Sequence, residues 1–539
     1  MIERVLSVVS VVCLTAGVAC WQMFLPFPEE ADTYFVMNIG RHVLEHGVPY
    51  VDPFTVHENL KLVAQQWLSG VIFWELFKNF GVDGLRIFDA IIGAVTVLIH
   101  WRLCLFVSGG NKALSFAVSF IVALLITPST VPRPQLISTL LLLIEVFALE
   151  KFTRTGDAKF LLALPFVSVA LVNFHAAMWL MSIVVCVPFM FVRNARHIKF
   201  LAAAMAGVAV FGLINPYGLD AMTYVFRSYG VDIISRGVPE MLPPSAHDTS
   251  GKIFYLLEAF IIFSFAKVKA PWRYVFLSGG ITFMALMHMR SLVLFDVLAT
   301  VPLAFAWRNF SVPKLGAGLP TILFTVLTFV NVALLTTLID DGLNKVPAPL
   351  EVLMFAAAGV MLYTLLIVKL EGRILHPQIL PRKILPLFVS ATIFSGIFLA
   401  TFDSDRDASD KTFTDAIKFI LRTNAPENVR LYVNQGGGGL AGSFGVKYYI
   451  DSRSEVFIPS NNGRKDILTE YVDFTDGRIR YDDFFARYKF THIILTSDEP
   501  FLFDALSRDK NFRVIYESER VDGYNVRRCK VFVPKEFHP

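Results

Sequence analysis

From Leu6 to Ala400 the chain is a succession of apolar runs, each roughly 16–25 residues long, separated by short polar breaks. Only a bilayer-spanning helix requires so much unbroken apolar length. The runs predict helices at 5–25, 83–106, 113–128, 134–150, 159–173, 176–192, 199–215, 252–268, 272–288, 291–307, 318–339, 349–369 and 385–402. That is about thirteen spans, each end placed to within a few residues. Several are short, and 113–128 with 134–150, or 159–173 with 176–192, are also readable as tilted or re-entrant pairs. After Phe402 the pattern turns soluble. It predicts helices over 411–422, 480–488 and 498–508, and strands at 430–434, 447–450, 492–496 and 513–517, an alternation that suggests a small α/β layered unit. The expected organisation is a polytopic α-helical membrane domain, 1–402, followed by a soluble α/β domain, 403–539.

Lysine and arginine orient the spans. With Arg4 inside, one set of loops carries Lys112, then Lys151, Arg154 and Lys159, then Arg193, Arg196 and Lys199. The same set continues with Lys267, Lys269 and Arg273, then Arg308 and Lys314, then Arg373, Arg382 and Lys383. The opposite turns are nearly free of them, Arg133, Arg290 and Lys345 being the notable exceptions. An odd number of spans then places the first loop, 26–82, the long loop 217–251 and the C-terminal domain outside the cytoplasmic (inner) membrane. The first run has a second reading as a cleaved signal, because Arg4 precedes it and small residues surround Cys20. It is long, and lacks the usual Leu three residues before the Cys, which favours retention as an anchor.

Composition agrees with a membrane protein: 55% hydrophobic and only 17% charged residues. Mean hydropathy is +0.56. The net charge of +4 is accounted for by the inside loops, so it calls for no nucleic-acid partner. Of five cysteines, Cys13, Cys20, Cys104 and Cys186 lie in or beside apolar spans, and Cys529 is alone in the outer domain, so no disulfide forms within it.

Against this background the polar residues stand out. Asp89, Glu145, Glu258 and Asp296 fall inside spans, where a carboxylate is costly unless it faces protein or water. Asp89, Glu258 and Asp296 sit in the outer halves of their helices, which fits either a polar cavity open to the outside or interhelical hydrogen bonds that fix packing. Glu145 lies nearer the inside and reads as structural. In the first loop, Glu29-Glu30-Ala31-Asp32 precedes a helix whose apolar positions Phe35, Ile39, Val43 and Leu44 predict an interfacial amphipath stopped at Gly47. Arg41 and Glu45, four apart, are placed to pair. A second interfacial helix opens at Gln65-Gln66-Trp67 and runs to about Asn79. Asp32 suits an N-cap and Glu30 suits solvent. The same cluster at a cavity mouth also suits a general base or a metal bridge. Outward Arg133 and Arg290 either snorkel or hold an anion, and a guanidinium grips phosphate bidentately. The histidines lack the spacing of a zinc site. Gly436 to Gly439 follows a predicted strand without a P-loop Lys-Ser/Thr, so a tight turn is expected there, with a glycan contact as the sharper alternative.

Several blocks together resemble the GT-C superfamily of polyprenyl-phosphate-dependent membrane glycosyltransferases, and within it a large bacterial group. They are Asp32-Thr33-Tyr34-Phe35, Gly40-Arg41, Gly47-Val48-Pro49, Asp52-Pro53-Phe54-Thr55 and Gln66-Trp67-Leu68. Further along come Arg133-Pro134-Gln135, Asn173-Phe174-His175, Asn215-Pro216-Tyr217-Gly218 and the run Tyr449-Ile450-Asp451-Ser452-Arg453-Ser454-Glu455. The resemblance spans nearly the whole chain; its first-loop block is the more specific part. It departs at Gln66, where the group is expected to carry His.

The resemblance implies transfer of a sugar from a polyprenyl-phosphate-linked donor to a glycan, lipid or protein acceptor at the outer face. It implicates Asp32 as catalytic base, with Glu30 assisting or, in members that use Mg or Mn, sharing a divalent ion. Arg133, Arg290 and Arg236 become candidates for the donor phosphate, with His175 or His288 assisting. The long outer loop then reads as either a flap over the site or a linker. Two other functions remain open: a transporter or flippase of lipid-linked glycans using Asp89, Glu258 and Asp296, and an outer-face glycan ligase or polymerase. Transport predicts midplane acids and half-to-half symmetry, and no such symmetry is evident in the sequence.

Overall fold

The computed structural model describes residues 14–15, 18, 32–126, 132–192, 194–228, 233–234, 239–309, 411–522 and 525–535. The expected spans at 318–339, 349–369 and 385–402, most of 5–25, and Glu30 and Arg236 lie outside the described residues. The described residues are mostly helical, and among them three helices are long and apolar enough to cross a membrane: Trp67–Val107, Thr249–Lys267 and Met289–Ala306. Shorter apolar helices run Lys112–Ile126, Ala158–Phe174 and Ala176–Met190. The helix Pro134–Thr155 starts with Pro at its first position and stops at Gly156 in a left-handed conformation, φ 71°, as its sequence dictates. These helices pack around one apolar core in which Leu103, Leu142, Leu149, Phe254, Tyr274 and Phe295 are fully covered or nearly so.

The expected interfacial helix and first long span follow one another within Trp67–Val107 as two helices separated at Gly81, where φ 64° and ψ −154° are non-helical. A side chain there would be strained, so glycine sets the break between the two pieces. Near the start of this element the first-loop helix, Asp32–His46, crosses it in backbone contact. A Cβ on Gly40 would lie 2.0 Å from the Gly70 carbonyl oxygen.

The C-terminal residues form a five-stranded mixed sheet in the order β2-β1-β3-β5-β4. Its strands are β1 (Arg430–Tyr432), β2 (Lys447–Tyr448), β3 (His492–Thr496), β4 (Phe512–Asp522) and β5 (Asn525–Pro534). β2, β1 and β3 are parallel, and β5 runs antiparallel to β3 and β4. Helices Thr412–Ile420, Tyr481–Tyr488 and Pro500–Arg508 fall close to their predicted places.

This sheet is fused to the first loop. Thr55 bridges Tyr448 as a parallel partner, and the Val56 amide donates to the Tyr448 carbonyl at 2.9 Å. One apolar core holds Phe35, Val36 and Ile39 from the loop helix together with Tyr449, Ile450, Phe457 and Phe484 from the C-terminal layer. The loop helix thus buries its apolar face against protein, where the sequence suggested a helix lying along the membrane. Gly47 does end it, with φ 86°. The expected Arg41–Glu45 pair gives way to a longer reach: Arg41 donates to the carbonyls of Gly442 and Ser443 at 2.8 and 3.0 Å.

The glycine run is not the expected tight turn. Gln435–Ser443 is a helix, capped by the Asn434 side chain on the Gly437 amide at 3.0 Å. Its five glycines oppose a helix by about 1 kcal/mol each. Tertiary contact overrides that preference, because bulk is excluded: a Cβ on Gly438 would sit 2.0 Å from the Ile450 carbonyl oxygen. Asn38 of the loop helix donates to the Gly439 carbonyl at 2.7 Å across this contact.

Candidate functional site

Asp32 occupies the first turn of the loop helix, whose free amides favour a carboxylate. Its neighbour Thr33 is fully buried and donates to the Pro132 carbonyl at 2.7 Å. That bond brings the loop helix against the turn that opens the Pro134–Thr155 helix. As a result Arg133 Nε stands 3.5 Å from Asp32 Oδ2. The same guanidinium donates through Nη1 to Glu240 Oε1 at 2.9 Å. Glu240 comes from the long loop, in a short turn at Pro239–Met241. Burial raises the Glu240 carboxyl, but the charges of Arg133 and Arg290 outweigh this and hold it below the usual carboxylate range.

Arg290 lies in a turn, Met289–Ser291, between the Trp272–Met287 helix and a π-helical stretch at Phe295–Ala299. With its amide oxygen turned inward, Gln135 accepts from Arg290 Nη2 at 3.1 Å and Nε at 3.3 Å. The long loop closes on this turn through its backbone. The Met289 amide donates to the Leu242 carbonyl, and His288 Nδ1 to the Met241 carbonyl, both at 2.8 Å.

Arg290 lines a cleft of about 730 Å³. Its polar wall includes Gln65, Gln135, His175 and Glu455; its apolar wall includes Met178, Met241, Met284 and Leu294. His175, 2% exposed, is 2.9 Å through Nδ1 from Ser138 Oγ. Ser138 spends its own proton on the Pro134 carbonyl at 2.9 Å, so the imidazole donates through Nδ1 and Nε2 is its acceptor.

Glu455 is the residue the sequence reading did not assign. It enters from the C-terminal layer, in the turn Ser454–Phe457, and accepts from Gln65 Nε2 at 2.8 Å. Burial pushes its carboxyl up, Arg290 pulls it down and Asp32 pushes it up again, so it senses both groups. Two residues earlier, Arg453 is buried between Asp52 and Asp451 at 2.8 Å each. The resemblance block around Glu455 was the available signal, but a turn residue carries no periodicity that marks it.

The structure therefore gathers Asp32, Arg133, Arg290 and His175, with His288 supporting the loop at their side. It does not gather the span acids, none of which lines the cleft. Glu258 accepts from Thr282 at 2.9 Å, Glu145 accepts from the Cys186 thiol at 3.3 Å, and Asp296 is buried in the π-helical stretch. Asp89 is buried, with Oδ2 bonded to no group among the described residues. Asn173 and Asn215 serve architecture: the first accepts from Trp67 Nε1 at 3.0 Å, the second donates to the Gly212 and Gly218 carbonyls at 2.7 and 3.1 Å. For a divalent ion, no group of three or more His, Cys, Asp or Glu among the described residues is arranged as a seat. The near partner of Asp32 is a guanidinium, and Glu30, its expected companion for Mg or Mn, lies outside the described residues.

No protein-family model matches the sequence, and no curated protein matches it. Solved structures do. ArnT from Cupriavidus metallidurans in the apo state superposes with a TM-score of 0.55 at 12% identity, over 97% of each chain. The same protein bound to undecaprenyl phosphate gives a TM-score of 0.52 at 11% identity, again over 97% of each chain. An oligosaccharyltransferase from Archaeoglobus fulgidus, in complex with Zn and sulfate, aligns with 92% of this chain and 67% of its own. Its identity is 14% and its TM-score 0.43. The fold of this chain is GT-C-like.

Proposed function

We propose that this protein is an integral membrane glycosyltransferase that moves a sugar from a polyprenyl-phosphate-linked donor to a glycan, lipid or protein acceptor. The reaction takes place on the extracytoplasmic side of the cytoplasmic membrane, where the lysine and arginine bias puts the first loop and the C-terminal layer. One observation carries the reading. In a GT-C-like fold, a first-loop carboxylate, Asp32, meets a guanidinium, Arg133, 3.5 Å away, close to a cleft that holds a second guanidinium, Arg290. The ArnT structure with undecaprenyl phosphate supports a carrier of that kind for this chain.

The chemistry divides among these groups. An acceptor hydroxyl loses its proton to Asp32 as its oxygen bonds to the anomeric carbon. The bond from that carbon to the phosphate oxygen breaks, and the electron pair leaves with the phosphate. Arg133 and Arg290 stabilise the charge gathering there. Glu240 binds the Arg133 guanidinium, so an incoming phosphate competes with it there. The methionine-rich wall of the cleft suits the prenyl chain, since flexible thioethers adapt to an irregular apolar ligand. A ligase or polymerase would use the same parts with a different acceptor. The transport reading lacks support in the described residues, where Glu258 and Glu145 make helix–helix contacts and no span acid enters the cleft.

Replacing Asp32 by Asn tests the assignment. Transfer is expected to fall by roughly 10²–10⁴-fold while carrier binding persists, because the amide keeps the shape and cannot take the proton. Near-normal turnover removes Asp32 as the base.

A further inference from the structure

We infer that Glu455, delivered by the C-terminal layer, holds the transferred sugar by accepting hydrogen bonds from its hydroxyl groups in the cleft. This rests on the reading above, that the cleft takes a sugar-bearing carrier. Glu455 lines the main cleft and also a smaller adjoining one of about 240 Å³ with Arg453 and Gln66. It is the only carboxylate on the main cleft's wall among the described residues.

Three features point to a sugar as its ligand. First, Gln65 bonds it and Gln135 lines the same cleft, and a carboxylate that shares a wall with amides presents the mixed acceptors and donors that pair with hydroxyl groups. Second, it is coupled electrostatically to both Asp32 and Arg290. In a displacement at an anomeric carbon the acceptor is at the base and the leaving phosphate at the guanidinium, so the ring lies between them. Glu455 lines the same cleft as Arg290, so it faces that space. Third, its position is fixed by contacts on both sides of the wall. Arg453 is locked between Asp52 and Asp451, the Glu455 carbonyl accepts from Asn461 Nδ2 at 2.8 Å, and Gln65 holds Oε1. A carboxylate held this way is preorganised and loses little side-chain entropy on binding.

The test uses the full-length protein in detergent with two probes: undecaprenyl phosphate, and undecaprenyl phosphate carrying single hexoses taken as a panel. Wild type is expected to bind at least one sugar-bearing carrier at least tenfold more tightly than the bare carrier. Glu455→Ala is expected to erase that difference and leave bare-carrier affinity within about threefold. Glu455→Gln, which keeps one acceptor oxygen, should restore part of the preference. If Glu455→Ala retains the full preference, or if wild type shows none, the inference is overturned. If wild type binds neither probe, the failure belongs to the carrier assignment of Arg133 and Arg290. Should the Ala variant misfold, Glu455→Gln alone decides, with an unchanged preference counting against the role.

Discussion

Removing Arg453 should undock the C-terminal layer from the first loop, and the size of the effect follows from its burial. The Arg453 side chain is 3% exposed and those of Asp52 and Asp451 are not exposed at all. Its guanidinium also lies 5.3–6.0 Å from the ring centres of Phe35, Phe54 and Phe457. Arg453→Ala leaves two carboxylates in that setting without their counter-charge, a loss of about 3–5 kcal/mol with no discount for solvent screening. At 1.36 kcal/mol per tenfold, local opening should rise by roughly 10²–10⁴-fold. The amide of Val56, bonded to the Tyr448 carbonyl across the junction, reports this opening by hydrogen exchange on the purified protein. A second signature separates lost charge from lost volume. Unpaired buried carboxylates bind protons more readily, so the gap between variant and wild type should narrow as pH falls from 7 toward 5. An exchange increase below tenfold, or a gap independent of pH, refutes the argument.

The remaining predictions concern the same junction and the site. In wild type, burial raises Asp52, but Arg453 and Thr55 together hold it below its usual range. Its contribution is therefore fully present above a pH of about 4 and is lost only as pH falls through the lowered value, so Val56 exchange protection measured against pH, once corrected for intrinsic exchange, should be flat from 5 to 8. Gly438→Ala forces a methyl 2.0 Å from the Ile450 carbonyl and should lower the melting temperature by several degrees, whereas the same change at the unobstructed Gly279 should not. Replacing both Arg133 and Arg290 by Ala should weaken undecaprenyl phosphate binding by at least 10²-fold, measured by titration in detergent, because charge-assisted bonds to phosphate contribute about 1.5–3 kcal/mol each. Unchanged binding there disproves the phosphate assignment.

The legible part of the chain was the part governed by local period. Lys112–Ile126 and Trp272–Met287 match runs of hydrophobic side chains, and His492–Thr496 matches a β-rich run flanked by helical patterns. Asp32 and Arg133 were legible as chemistry, since acids and outward arginines are conspicuous in an apolar sequence. What escaped was set by partners far away in the chain. Gln435–Ser443 is helical against its own composition because Asn38, Arg41 and Ile450 leave room for backbone and nothing else. Arg41 ignores Glu45 one turn on, since the partly buried carbonyls of Gly442 and Ser443 reward it more than a solvated carboxylate. Arg453 finds Asp52, 401 positions away, and no local rule reports a pairing at that separation.

Those distant contacts bear on catalysis because of where they fall. Arg453 precedes Glu455 by two residues, and Asn461 follows it by six. Asn461 accepts from Arg227 Nε at 3.1 Å and donates to Ser228 Oγ at 3.0 Å, both on the long outer loop. The strip from Arg453 to Asn461 is thus clamped at one end to the first loop and at the other to the long loop. The first loop carries Asp32, and the long loop carries Glu240, which holds Arg133. A shift of either loop must therefore be shared with Glu455, or one of the clamps must break. Breaking the Asp52 clamp costs far more than breaking the half-exposed Arg227–Asn461 contact, so the second is the joint that yields. On the proposed reading, the junction that carries Asp32 and Glu455 is therefore the more resistant of the two, which suits a reaction whose base and sugar contact must stay aligned while the phosphate enters and leaves.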